Sequence, residues 1–341
     1  MDTIYLEQAV ADHPRSLQIL KRFPNARRIV IERYADFFNR KAQNFRAQKQ
    51  NPALVLAAKH KNHVLEAPAD YHIGGRHNYY FSHMMNCIYD CRYCFLQGMY
   101  SSANYVVFVN FEDFFTAIDQ QQKQHTDPTW FFSGYDCDSL ALEPVTGFID
   151  NTLNFFSQQE QAHLEIRTKS TQIRSLLRRE PVANCVVAYS FTPAAIADKL
   201  EHKTPSVEKR LQALVRLQEQ GWNIGLRLDP LIRAENFHEL YAELLNTLFD
   251  RLDCSRIHSV SLGPFRLPKP FFKKLIQLYP DEPMLADKFS TRDNMVSYSA
   301  DEEQEMIGWC SEKILQRISD EQFFPCVDTP EQPSVSNHQP S

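Results

Sequence analysis

Cys87, Cys91 and Cys94 lie within eight positions of one another in a chain of 341 residues that carries only eight cysteines. Their spacing, C-x3-C-x2-C, lets three thiolates wrap one compact metal centre. A closed tetrahedral zinc site or an ordinary four-cysteine cluster needs a fourth ligand, and none is nearby. An incomplete ligand set leaves a coordination position open, and through an open position a metal centre can bind a substrate or cofactor directly. Two plainer readings stand beside this one: a zinc ion completed by His83 or a distant cysteine, and buried cysteines packed as small apolar side chains. Cys137 sits in a separate loop, Gly134 to Asp138. Cys185, Cys254, Cys310 and Cys326 have no partner spacing and read as apolar fillers, with Cys326 a thiol in the tail.

The elements that must hold these residues follow from the hydrophobic pattern. From residue 78 onward, short apolar or β-branched runs alternate with amphipathic stretches, which is the pattern of repeated βα units on a parallel sheet. Strands are expected over 79–85, 129–133, 164–168, 185–191, 223–228 and 257–262, and helices over 111–124, 144–159, 172–179, 206–220, 237–252 and 270–278. The fold class is therefore α/β, a partial (open) parallel β/α barrel of about six βα units, with active-site groups in the loops after the strands. An N-terminal α/β extension over 1–77, the barrel over 78–287, a C-terminal helical extension over 288–324 and a disordered, Pro-rich tail over 325–341 complete the expected organisation.

Composition excludes several classes. With 37 basic and 42 acidic side chains the formal charge is −5, so the chain as a whole is not a basic nucleic-acid binder. No run approaches the roughly 18 apolar residues of a membrane span, and the first residues carry acids where a signal peptide carries a basic and then an apolar stretch. The expected location is cytoplasmic, where crowded cysteines point to metal or redox chemistry and not to disulfides. Over 21–63, eleven basic residues (Lys21, Arg22, Arg27, Arg28, Arg33, Arg40, Lys41, Arg46, Lys49, Lys59 and Lys61) face only Glu32 and Asp36. With Tyr34, Phe37, Phe38 and Phe45 interleaved, this segment reads as a DNA-contacting surface. It reads equally as a helix whose aromatics are core and whose cations are a solvated face.

The cysteine loop, with Tyr93 as the aromatic before the third cysteine and a strand just before it, resembles the radical S-adenosylmethionine superfamily. The stretches 93–97, 190–193, 200–206, 227–232 and 261–266 are similar to its spore photoproduct lyase branch, and the likeness runs from about residue 4 to residue 287. The resemblance implies a [4Fe-4S] cluster on Cys87, Cys91 and Cys94. The iron left open would be chelated by S-adenosylmethionine, whose reductive cleavage yields a 5′-deoxyadenosyl radical. It further implies cofactor contacts at Tyr93, Ser133, Gly134, Lys169 and Ser190, an electron donor such as flavodoxin or ferredoxin, and DNA carrying a thymine photolesion as partner. Asp229, at the end of the fifth strand, reads either as a polar site residue or as a turn cap.

Two departures from the family pattern concern the return of hydrogen to the substrate. The branch uses a loop cysteine after the second strand, which suggests Cys137; laying Asp138 on the family's loop aspartate puts Tyr135 there instead. The family's tyrosine after the third cluster cysteine is Phe95 here, which has no O–H. The region 288–295 also differs from the family's Gly-, Arg- and Tyr-rich segment. Alternatives to a photolesion lyase are a radical enzyme with a non-DNA substrate and a non-catalytic metal-binding module that holds nucleic acid.

Overall fold

The computed structural model describes residues 1–38, 40, 42–68 and 71–326. Six strands form the body of the main sheet: β5 (His77–Phe81), β9 (Thr129–Ser133), β10 (Ala162–Thr168), β11 (Cys185–Ser190), β13 (Asn223–Leu231) and β14 (Ile257–Pro264), parallel and neighbours in that order. Runs such as Cys185–Ser190 are buried at every position. That is what a strand covered by helices outside and by side chains inside requires. Helices Phe111–Gln122, Phe148–Phe156, Val207–Gln220 and Phe237–Arg251 carry the chain back between strands. The result is a partial β/α barrel.

The helix expected over 144–159 is two pieces, Glu143–Thr146 and Phe148–Phe156, because Gly147 between them takes φ 59° and ends the first. Val207–Gln220 runs unbroken from a Ser206 cap to Gly221 at φ 103°.

Both edges of this sheet are covered by short pieces of chain. β4 (Leu65–Glu66) pairs antiparallel with β5, and β18 (Phe323–Pro325) pairs parallel with β14. This corrects the expected tail: Pro325 lies in a strand, and Cys326 is buried, its N–H donating to the Leu262 carbonyl at 2.7 Å. Proximity to Gly263, where a Cβ would lie 3.3 Å from that of Cys326, shows how closely the chain end packs on the barrel. Residues 327–341 lie outside the described residues.

A second sheet, in the order β2 (Arg27–Ile31), β1 (Thr3–Glu7), β3 (Leu54–Ala57), β8 (Tyr105–Phe108) and β6 (Met84–Met85), forms the N-terminal α/β extension. It does not end at residue 77, since β6 and β8 come from the loop after the first barrel strand. The single strand expected over 79–85 is thus two strands in different sheets, with the corner at Ser82 and His83. His83 is buried flat against Phe148, ring centroids 3.7 Å apart, and burial drives its pKa down to about 3.

The aromatics of the basic segment are core: Phe38 and Phe45 are buried, and Tyr34 and Phe37 pack on the same cluster. Lys49 and Lys59 turn inward, whereas Lys21, Arg22, Arg27, Arg28, Arg33, Arg40, Arg46 and Lys61 are exposed. Lys41 lies outside the described residues.

The segment expected to be a helical extension opens with a hairpin. β16 (Ser290–Arg292) and β17 (Met295–Ser297) turn at Asp293 and Asn294, both at positive φ, and β17 also pairs with β15 (Arg266–Pro268). The helix Ala300–Leu315 follows from a Ser299/Glu302 capping box. Among the described residues no helix is long and apolar enough to cross a membrane.

Candidate active site

The cysteine loop starts where β5 gives way to β6, at the C-terminal end of the first barrel strand. Asn86 adopts φ 68°, and its amide donates to the Ser102 and Asn104 carbonyls at 2.7 and 2.8 Å, so the loop is pinned to the N-terminal sheet just before Cys87. On the barrel side β7 (Asp90–Cys91) pairs antiparallel with β12 (Glu201–His202), and the Arg92 N–H donates to the Leu200 carbonyl at 2.8 Å. Asp90 receives Lys49 at 2.6 Å and lies 2.9 Å from Arg92. The three thiols are free, and burial raises each of them, Cys87 to about 12. Charge on Cys87 or Cys94 further disfavours charge on Cys91, while Lys169 favours the charged form at both Cys91 and Cys94. Three thiols that feel one another beside buried cations suit an anionic multinuclear cluster taking one thiolate per metal. Among the described residues no three His, Cys, Asp or Glu side chains are arranged around a single ion.

Behind the loop lies a buried ionic group. Glu201, fully buried, accepts from the Tyr93 hydroxyl and from Arg210, and lies 3.7 Å from the Lys169 ammonium. Burial penalises its charge, but Lys169 and Arg210 hold the carboxyl below its usual range. Burial likewise penalises Lys169, yet Glu201 and Cys91 hold its pKa above the usual lysine value. A lysine kept protonated beside three cysteines presents a fixed positive charge to whatever occupies the site.

The loop after β9 is held by Asp138. It accepts from Thr168 Oγ1 at 2.7 Å and from the backbone N–H groups of Lys169, Leu140 and Ala141 at 2.6, 3.0 and 2.9 Å. Gly134 takes φ 84°, and a Cβ there would come within 2.4 Å of Ser139 Oγ, so glycine is required by the turn itself. Ser133 Oγ is buried between Ser139 Oγ at 2.8 Å and the Glu165 carbonyl at 3.0 Å. Tyr135 and Cys137 leave this loop in opposite directions. Cys137 is buried in the core of the N-terminal sheet with Met84 and Val107. Tyr135 is half-buried on the barrel side, stacked on Tyr80 with ring centroids 4.2 Å apart and 5.3 Å from the Phe95 ring.

Inside the barrel, β10 and β13 face each other across β11 through two charged layers. Glu165 and Arg227 pair at 2.6 Å with at most 1% exposure, and Arg227 also donates to the Ser259 carbonyl and hydroxyl at 3.0 and 2.9 Å. One layer nearer the cysteines, Arg167 donates to the Tyr71 hydroxyl and lies 3.4 Å from both Asp229 and Ser190 Oγ. Sequence reasoning singled out Asp229 and Ser190 but missed Arg167, Glu201 and Arg210. For Arg167 a signal was present: charges at alternate positions of apolar strands, Glu165/Arg167 and Arg227/Asp229, mark a polar interior. Nothing local marked Glu201 and Arg210: Arg210 reaches back from a helix to Glu201 in β12, and the other partners of Glu201, Tyr93 and Lys169, lie far away in sequence.

The chain is thus a parallel β/α half-barrel with a three-cysteine loop at the end of its first strand. The family model described as spore photoproduct lyase matches residues 68–300, and the chain belongs to that family. Spore photoproduct lyases of Clostridium acetobutylicum and Bacillus subtilis are each 23% identical, over 212 and 210 residues, covering 62% and 60% of this chain and 63% and 61% of theirs. The alignments thus span about three fifths of the length of these curated relatives. A spore photoproduct lyase double mutant with bound AdoMet and dinucleoside spore photoproduct shares the fold, with TM-score 0.84, 19% identity and coverage of 96% of this chain and 98% of that one. A spore photoproduct lyase complexed with dinucleoside spore photoproduct has TM-score 0.82 and 18% identity over the same shares.

Proposed function

We propose that the protein is a radical S-adenosylmethionine iron–sulfur enzyme acting on a thymine photolesion in DNA. The observation that carries this reading is the three-cysteine loop on the first strand of the half-barrel, backed by the Lys169–Glu201 pair, in a chain of this family. Cys87, Cys91 and Cys94 would hold a [4Fe-4S] cluster, and the cluster with S-adenosylmethionine would supply hydrogen-atom abstraction. Lys169 would offer its charge to the methionyl carboxylate, Ser190 a hydroxyl to the ribose, and the Ser133–Gly134 backbone a polar edge. Tyr93 is engaged through its hydroxyl with Glu201 and fixes the loop between Cys91 and Cys94.

Of the two candidates for hydrogen return, Tyr135 faces the barrel and Cys137 faces the N-terminal core. We therefore assign the substrate-facing position to Tyr135. The second reading, a radical enzyme with a different substrate, is favoured by the same pair of features: Phe95 carries no hydroxyl, and the nearby thiol points away. The reading also requires a one-electron donor of the flavodoxin or ferredoxin kind and places the enzyme in the cytoplasm.

The test is anaerobic reconstitution followed by reaction with dinucleoside spore photoproduct. Expected are about four irons per chain, cleavage of S-adenosylmethionine, and restored thymines. Replacing Cys91 with Ala should abolish all three. Tyr135→Phe should divert products while Cys137→Ala should not. Cofactor cleavage without any repair would leave the radical enzyme and remove the lesion as its substrate.

A further inference from the structure

The two charged layers inside the barrel differ in a way that points to a ligand. Glu165–Arg227 is closed: it is sealed from solvent, at 2.6 Å, and its remaining donors are satisfied by Ser259 and the Leu226 carbonyl. Gly225 makes room for it, since a Cβ there would lie 2.8 Å from the guanidinium. Arg167–Asp229 is open. Its partners are 20% and 26% exposed, and the closest approach of the pair is 3.4 Å. The Tyr71 hydroxyl accepts from the guanidinium, which cannot swing to close on Asp229 without loosening that bond, and Ser190 Oγ stands as far from it as the carboxylate does, at 3.4 Å. Beside the carboxylate stands Gly263, where a Cβ would lie 3.5 Å from Asp229 Oδ1 and 3.3 Å from the Cβ of Cys326, so Cys326 lines that side of the pair.

A donor and an acceptor set side by side in a half-closed barrel select the charge of their ligand. An anion drawn to Arg167 would meet the Asp229 carboxylate, and a cation drawn to Asp229 would meet the guanidinium. What fits both is a neutral group presenting an acceptor next to an N–H. We propose that Arg167 and Asp229 read the edge of a neutral nucleobase, Arg167 donating to a ring carbonyl or nitrogen and Asp229 accepting from the adjacent N–H. This rests on the reading of the protein as a photolesion enzyme using a nucleoside cofactor. Two sources supply that edge: the N3–H/O4 imide of a thymine in the lesion, and the amino/ring-nitrogen edge of the cofactor adenine. Recognition of this kind discriminates well, because an analogue lacking the N–H leaves the half-buried carboxylate without its donor once the ligand covers it.

The experiment measures equilibrium binding to the reconstituted enzyme with its cluster oxidised, so that turnover plays no part. The probes are dinucleoside spore photoproduct, the same compound methylated at N3, S-adenosylmethionine, and its N6-dimethyl analogue. For the source that is read, methylation should weaken binding to wild type about tenfold to a hundredfold. Asp229→Ala should weaken the parent compound by a similar factor and cancel the effect of methylation, while Asp229→Asn, which keeps an acceptor, should retain most of the affinity. Arg167→Met should weaken the same probe. The arm that responds, lesion or cofactor, identifies the base that is read. Wild-type affinity for both parents in Asp229→Ala, or an equal methylation penalty with and without the carboxylate, would overturn the proposal. Failure of wild type to bind either parent would instead remove the enzymatic reading beneath it.

Discussion

Two arginine–carboxylate pairs built on the same two strands, a single layer apart and with their charges exchanged, have opposite fates. Glu165 and Arg227 are sealed at 2.6 Å; Arg167 and Asp229 stand 3.4 Å apart with about a fifth to a quarter of each still exposed. The lower pair has every reason to stay shut: an ion taken out of water costs several kcal/mol unless its partner and hydrogen bonds compensate. The upper pair keeps part of its hydration, and its arginine is shared with Tyr71 and Ser190. The difference teaches that position along a barrel strand decides use. Deep layers neutralise their charges internally, and layers near the C-terminal ends leave them available.

The comparison can be broken most forcefully at its closed member. Arg227→Met strands Glu165 where no water reaches it and should cost about 3–5 kcal/mol, read as a fall in the denaturant midpoint at unchanged slope. Another buried acid, Glu143, sharpens the point because it has no arginine. It is 5% exposed and takes hydrogen bonds from the Ile149 N–H at 2.9 Å and Ser175 at 3.3 Å. Burial pushes its carboxyl up to about 7 from 4.5. Between those values the folded chain keeps a proton that the unfolded chain has released, so stability should fall as pH rises across that window. Glu143→Gln should remove that loss, on the order of 3 kcal/mol between pH 5 and pH 8, in paired unfolding curves. Replacing both members of the closed pair, Glu165→Met with Arg227→Met, should recover most of the stability lost in the single variant, to within about 1.5 kcal/mol of wild type. The smallest effect belongs to the open pair: Arg167→Met should change stability by about 1 kcal/mol or less, because solvent already screens it. An Arg167→Met loss as large as that of Arg227→Met would erase the distinction.

Much of this arrangement is readable in the amino-acid order. Five of the six barrel strands fall where apolar runs predict them, because a strand buried on both faces has to be nearly all apolar. The cysteine loop is readable for another reason: its ligands sit within eight residues, so no tertiary contact is needed to bring them together. The N-terminal strands are harder. Thr3–Glu7 and Arg27–Ile31 are five residues each, and the second has its two arginines exposed on a sheet edge. Tyr105–Phe108 is apolar enough, but its partner Leu54–Ala57 lies about fifty residues away. Tyr34, Phe37 and Phe38 share one short helix and pack on the core as helical spacing expects, and Phe45 is buried at the start of the next helix, while most of the interleaved cations stay exposed. Glu201, Arg210 and Lys169 come together from a short strand, a helix and a loop, and no spacing announces that. Tyr135 and Cys137 show the finest limit: two residues apart in one loop, they face opposite cores, and only the turn forced by Gly134 and Asp138 decides which faces the barrel.

The short strands on the rims of the barrel bear on behaviour in concentrated solution. An open half-barrel has two free borders, each a row of unpaired N–H and C=O groups that could recruit the same border of another molecule. Here Leu65–Glu66 shields one and Phe323–Pro325 the other, the latter ending in a proline that has no N–H to offer a further strand. These few residues act as guards against edge-to-edge aggregation, and a chain cut before Phe323 would uncover the border of β14 along Val260–Leu262.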